Sequence, residues 1–139
     1  MDIKIRTEEL RLSFGKREIL KGVTVDVYKN KITGFMGPAG SGKSSLISIM
    51  NRMIDFEENA TISGRVFIDG EDILDGEIDE VHLRRRVGMV FAVPIPLPRS
   101  IFDNIAYGPR LKNKNSGREL RSLVQESLKK AFLWDEVKD

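Results

Sequence analysis

Eight residues, GPAGSGKS from Gly37 to Ser44, constrain this chain more than any other stretch. They match G-x-x-x-x-G-K-[ST], the spacing of a phosphate-binding P-loop. Triphosphate oxygens need many donors at close range, and a glycine-rich loop can turn its backbone N–H groups inward with no side chains in the way. Gly40 and Gly42 supply that freedom, and Pro38 stiffens the entry. A helix starting near Lys43 adds the partial positive charge of its N-terminus. Lys43 can reach the β- and γ-phosphates as a point charge, and the Ser44 hydroxyl can ligate Mg²⁺. The four fixed positions coincide by chance in a chain this long at a rate on the order of one in a hundred or less, given Gly usage of about 7%.

The flanking pattern predicts the setting of such a loop. KITGFMG reads as a short apolar strand entering it, and Leu46, Ile47, Ile49, Met50, Met53 and Ile54 give a helix of about three turns with one broad apolar face. Before the loop, IKIRTEELRLSF and GVTVDVY alternate as strands with one wet face, separated by the turn-like GKRE, which suits an antiparallel sheet. After it, SGRVFIDGEDI predicts a strand and a turn at Asp69-Gly70. A short helix around DEVHLRRR and a buried strand VGMVF follow. Pro94, Pro96 and Pro98 then force the chain out of the sheet as a surface loop. SIFDNIAYG predicts a helix ended by Gly108, and Ser116 with Glu119 forms a capping box. The helix it opens carries Leu120, Leu123, Val124, Leu128, Ala131 and Phe132 on one face.

Other chemistry is largely excluded. The 139 residues contain no cysteine and one histidine, so disulfides, thiolate nucleophiles and zinc clusters are out. His82, among charged neighbours, reads as a solvated surface residue. The net charge is +2 with the positive residues dispersed, which gives nucleic-acid binding little support. Arg84, Arg85 and Arg86 read as a solvated helix end. No run approaches the roughly 18 apolar residues of a membrane span, and MDIKIRTEEL has charges where a signal peptide has an apolar core. The protein is expected to be cytoplasmic and not itself membrane-spanning.

A P-loop fixes a nucleotide and not a function. The chain resembles the ATP-binding subunits of ABC transporters, and within them most of all those of phosphate importers. The resemblance runs in order through LSFGKREILKGVTVDV, GFMGPAGSGKSSL, NRMIDF, GRVFIDGEDI, LRRRVGMVF, PLPRSIFDNIAYGPRL and SLKKAFLWDEVKD. SIFDNIAYGPRL and LWDEVKD point to the phosphate subfamily. The resemblance implies an α/β fold of the P-loop NTPase, ABC ATPase type, with an N-terminal antiparallel β layer and the start of a helical subdomain, incomplete in this sequence. It places the nucleotide-binding core in residues 1–92 and the Q-loop region with the start of the helical subdomain in residues 93–139.

ATP and Mg²⁺ are the implied cofactors. The implied partners are the transmembrane permease subunits of an importer and a second copy of the ATPase, on the inner face of the cell membrane. Phe14 falls at the aromatic position that stacks on adenine. Gly37, Pro38, Ala39, Gly40, Ser41, Gly42, Lys43, Ser44 and Ser45 hold the phosphates, with Ser44 on the metal. Two departures stand out. Ala92 occupies the place of the family's Q-loop glutamine, which reaches Mg²⁺ and the attacking water. The LSGGQ signature, the Walker B aspartate, the catalytic glutamate and the switch histidine are not in this sequence, so it is expected to be an N-terminal portion. Phosphoryl transfer needs metal, water positioning and charge stabilisation together. Lys43 stabilises phosphates, and no complete catalytic set is expected in this chain. The competing readings are a truncated, non-catalytic nucleotide-binding module and a small P-loop kinase.

Overall fold

The computed structural model describes residues 1–112 and 117–138. The chain forms two compact units, Met1–Val90 and Phe91–Asp139.

The first unit is built on two long strands, β1 (Ile3–Phe14) and β2 (Arg17–Tyr28), joined by the tight turn at Gly15 and Lys16. β3 (Ala60–Ile68) pairs with the other edge of β1, and the two-residue β4 (Glu71–Asp72) completes an antiparallel sheet of order β2-β1-β3-β4. The inward residues of β1 change parity midway. Ile5 and Thr7 face the core in the first half, and Leu10 and Leu12 in the second. A bulge accounts for the change: Glu8 pairs with Arg65 and Arg11 with Ser63, so two residues of β1 oppose Gly64 alone. Gly64 sits at φ 94°, where a Cβ would lie 2.5 Å from the Glu9 carbonyl oxygen, so the bulge requires glycine there. The β1–β2 ladder also shifts register between Thr7 and Leu10, and side chains bridge it there. Thr7 Oγ1 is fully buried, donates to the Val23 carbonyl at 2.8 Å and accepts from the Val25 N–H at 3.0 Å.

Helix α1 (Lys43–Met50) covers the inner face of the sheet, and its Leu46, Ile49 and Met50 share one core with Leu10, Leu12, Leu20, Val66 and Ile68. The helix has eight residues, about two turns and not three. The chain turns at Arg52, in the left-handed region at φ 60°, into a 3₁₀ turn over Met53–Phe56 that still buries Ile54. Helix α2 (Glu80–Arg86) is capped by Asp79, which accepts from the His82 N–H, and buries Leu83. His82 is exposed. Its arginines are not simply solvated. Arg84 donates to Glu80 and to the Arg52 carbonyl and lies over the Phe56 ring, and Arg86 pairs with Glu71 and Asp69. The Asp69-Gly70 turn forms where its residues require it, at φ 52° and 87°.

Two predicted strands are absent. KITGFMG and VGMVF take no strand pairing, and Ile32, Met36 and Val90 are almost wholly exposed. An apolar run becomes a strand only beside a partner that takes up its N–H and C=O groups, and the described residues hold no parallel neighbour for either segment.

The second unit is helical. α3 (Ile101–Leu111) and α4 (Gly117–Lys130) pack through Ala106, Leu120, Val124 and Leu128, with Trp134 and Val137 of α5 (Trp134–Val137) against them. Gly108 does not end α3, which runs on through Pro109 to Leu111. Arg110 binds Asp103 at 2.6 Å along the same helix, tying its last turn to its first. Ser116 lies outside the described residues. α4 closes at Lys130, so Ala131 and Phe132 are exposed and do not continue its apolar face. Phe132, at φ 60°, occupies the left-handed closing position. The N–H groups of Phe132 and Leu133 bond the carbonyls of Lys129 and Leu128.

Candidate functional site

Gly42 is the pivot of the loop. It caps α1 at φ 88°, and Gly40 stands at φ 76°. A Cβ at Gly42 would come within 2.8 Å of Leu20 Cδ2 and 3.2 Å of Ile19 Cγ2. The loop is therefore seated against β2, not carried by an entering strand. Gly42 makes no side-chain cap, and its carbonyl accepts from the Leu46 N–H at 2.8 Å. The first-turn N–H groups ahead of Leu46 have no acceptor within the helix. These orphan donors line a cavity of about 310 Å³ formed by Phe14, Arg17, Ile19, Gly40, Ser41, Gly42, Lys43, Ser44 and Ser45.

Lys43 is folded back over the loop. Its Nζ donates to the carbonyls of Pro38 at 2.7 Å and Gly37 at 2.9 Å, and to Ser41 Oγ at 3.2 Å. Neutral carbonyls are weaker partners for an ammonium than anionic oxygens, so an entering phosphate has a clear route to displace them. The cavity has the donor set that a triphosphate needs: orphan N–H groups, an ammonium and three serine hydroxyls. Ser44 is exposed at the start of α1. No group of three or more His, Asp or Glu side chains among the described residues could hold a metal. Mg²⁺ held by nucleotide phosphates would have Ser44 as its protein ligand here, and would supply neutralisation of phosphate charge.

The structure thus brings Phe14 to the loop, as one wall of the cavity. Gly37, Pro38 and Ala39 lie in the preceding turn, where the Ser41 N–H donates to the Pro38 carbonyl at 3.3 Å. Ala92 belongs to the second unit and is exposed in an irregular loop, its methyl group offering no ligand. Arg17 and Ile19 also line the cavity and were not singled out by the motif. Their signal was positional, since Arg17 is the direct cross-strand partner of Phe14 at the hairpin end.

The profile of the ABC transporter family matches residues 20–138, most of the chain. The chain belongs to the ABC transporter family. It is similar to a bacterial Atm1-family ABC exporter determined with ATP bound, with TM-score 0.76 and 28% identity over 96% of this chain and 21% of that one. It is also similar to cbiO1 from Clostridium perfringens, part of the ABC transporter complex cbiONQ, with TM-score 0.78 and 25% identity over 100% of this chain and 54% of that one. The chain therefore spans about half the length of the second structure and about a fifth of the first. Its fold is that of an ABC ATP-binding module containing part of a P-loop NTPase. No described helix is long and apolar enough to cross a membrane.

Proposed function

We propose that this chain is the N-terminal portion of the ATP-binding subunit of an ABC importer of inorganic phosphate, binding Mg²⁺-ATP at Gly37–Ser45 with adenine on Phe14. The observation that supports it most is the single cavity uniting Phe14 with the loop and the start of α1. A flat ring at one end, orphan N–H groups and Lys43 at the other match a base and its phosphates. The phosphate cargo rests on SIFDNIAYGPRL and LWDEVKD, the segments most like those of phosphate importers. In this role the chain works on the inner face of the membrane, beside permease subunits and a second ATPase copy. Deleting the gene should abolish high-affinity uptake of radiolabelled phosphate and leave sulfate uptake intact. Phosphate uptake at the parental rate in the deletion strain contradicts the proposed cargo.

A second reading, a nucleotide-binding module that does not hydrolyse, is favoured by Ala92, which brings neither a metal ligand nor a hydrogen bond to water. Robust Lys43-dependent turnover with the permease present would rule that reading out. The family match leaves the small-kinase reading without support.

A further inference from the structure

The cavity holds a second cation beside Lys43, and nothing in the motif accounts for it. Its lining among the described residues carries Arg17 and Lys43 and no carboxylate. The nearest acid in sequence, Glu18, is turned to the other face of β2 and pairs with Arg11 at 3.1 Å. Another cavity of comparable size, about 320 Å³, is different in kind. It is lined by Lys4 and Arg6, and these are neutralised by Asp69 at 2.6 Å and Asp26 at 2.7 Å. Arg17 therefore stands as a charge presented to whatever fills the P-loop cavity.

Its position narrows the ligand group it meets. Arg17 is the cross-strand partner of Phe14, and residues so paired have Cβ atoms about 4.5–5.5 Å apart. Ile19, on the same face of β2, rests against Gly42. The hairpin end thus sets Arg17 and Phe14 side by side in the cavity wall. Resting on the reading of this cavity as a nucleotide site, we propose that Arg17 is a further binding residue. Its guanidinium takes the phosphate nearest the ribose, and Lys43 serves the distal ones. A guanidinium suits this role, since it stays charged at every working pH and can give two N–H donors to one phosphate.

Equilibrium dialysis of the chain with radiolabelled ATP, ADP, AMP and adenosine tests this on Arg17→Ala, Arg17→Lys and Lys43→Ala. Arg17→Ala should weaken ATP, ADP and AMP alike by about tenfold or more, as loss of a charged hydrogen bond implies, and leave adenosine unchanged. Arg17→Lys should recover much of that loss. Lys43→Ala should weaken ATP and ADP and spare AMP, and the ligand-free melting temperature of Arg17→Ala should match the parent. Unchanged phosphate-ligand affinities in Arg17→Ala, or an equal loss for adenosine, overturn the role of Arg17 while the nucleotide site stands. Failure of the parent chain to bind ATP, or Lys43→Ala binding as the parent does, overturns the nucleotide site itself and the role with it.

Discussion

Gly42 couples the loop to the sheet through one missing atom. Alanine there combines a left-handed backbone with a 2.8 Å approach to Leu20, so Gly42→Ala should cost about 1–3 kcal/mol in urea unfolding. Nucleotide affinity should fall as well, because any relief moves the helix start. Unaltered stability and affinity would mean that the loop is not seated on β2 as described. Among titrating side chains, Asp26 is held below the usual carboxylate range by its hydrogen bond from Arg6, Asp69 by Lys4, Asp79 by the His82 N–H and Asp103 by Ser100. Folded values below the unfolded ones mean that the stability these groups add is present above the unfolded aspartate range. It is lost as pH falls through the folded values, below about pH 4. Unfolding midpoints should therefore be flat from neutral pH to about 5 and drop beyond it, and a midpoint that rises on acidification would contradict these pairings. The P-loop was legible because its chemistry fixes residue types at fixed spacing. Arg17 was not, because it reaches the site by strand register, and register is a property of the hairpin rather than of any local motif.

At the scale of elements, the antiparallel strands were readable from alternation on either side of the bulge, and the apolar face of α4 from its three-four spacing. What escaped was termination and pairing. Local apolarity at KITGFMG and VGMVF carries no information about a neighbouring strand, and Gly108-Pro109 reads as a helix end although α3 runs on to Leu111 with Pro109 bringing no N–H to the ladder. The loop after Ala92 has its own anchor. Asn104 Oδ1 accepts from the Leu97 N–H at 2.8 Å, and its Nδ2 donates to the carbonyls of Ser100, Arg99 and Leu97 at 3.0, 3.1 and 3.2 Å. One side chain thus replaces the sheet contacts that the prolines forbid. Asn104→Ala should speed amide exchange at Leu97 at least tenfold while costing about 1 kcal/mol of stability, the worth of exposed hydrogen bonds. Equal exchange at Leu97 in the variant and the parent would show that the loop is held by something else.

The molecule as a whole presents apolar segments and sheet edges that its own fold leaves uncovered. β2, twelve residues long, is an edge strand, and Ile32, Met36 and Val90 face solvent. Such edges template pairing with other chains. The chain on its own should therefore self-associate at micromolar concentration, and a monodisperse monomer in sedimentation velocity would contradict this. That exposure and the nucleotide cavity belong to one account, in which the residues present build the phosphate cradle and base platform of an ABC module spanning part of the length of its structural relatives. That account rests on the cavity of Phe14 and the Gly37–Ser45 loop, so Mg²⁺-ATP binding tests it most directly. Isothermal titration should give one ATP per chain, competed by ADP and abolished by Lys43→Ala with the melting temperature unchanged. Titration showing no ATP binding by the parent chain, or the same binding by Lys43→Ala, would contradict the account.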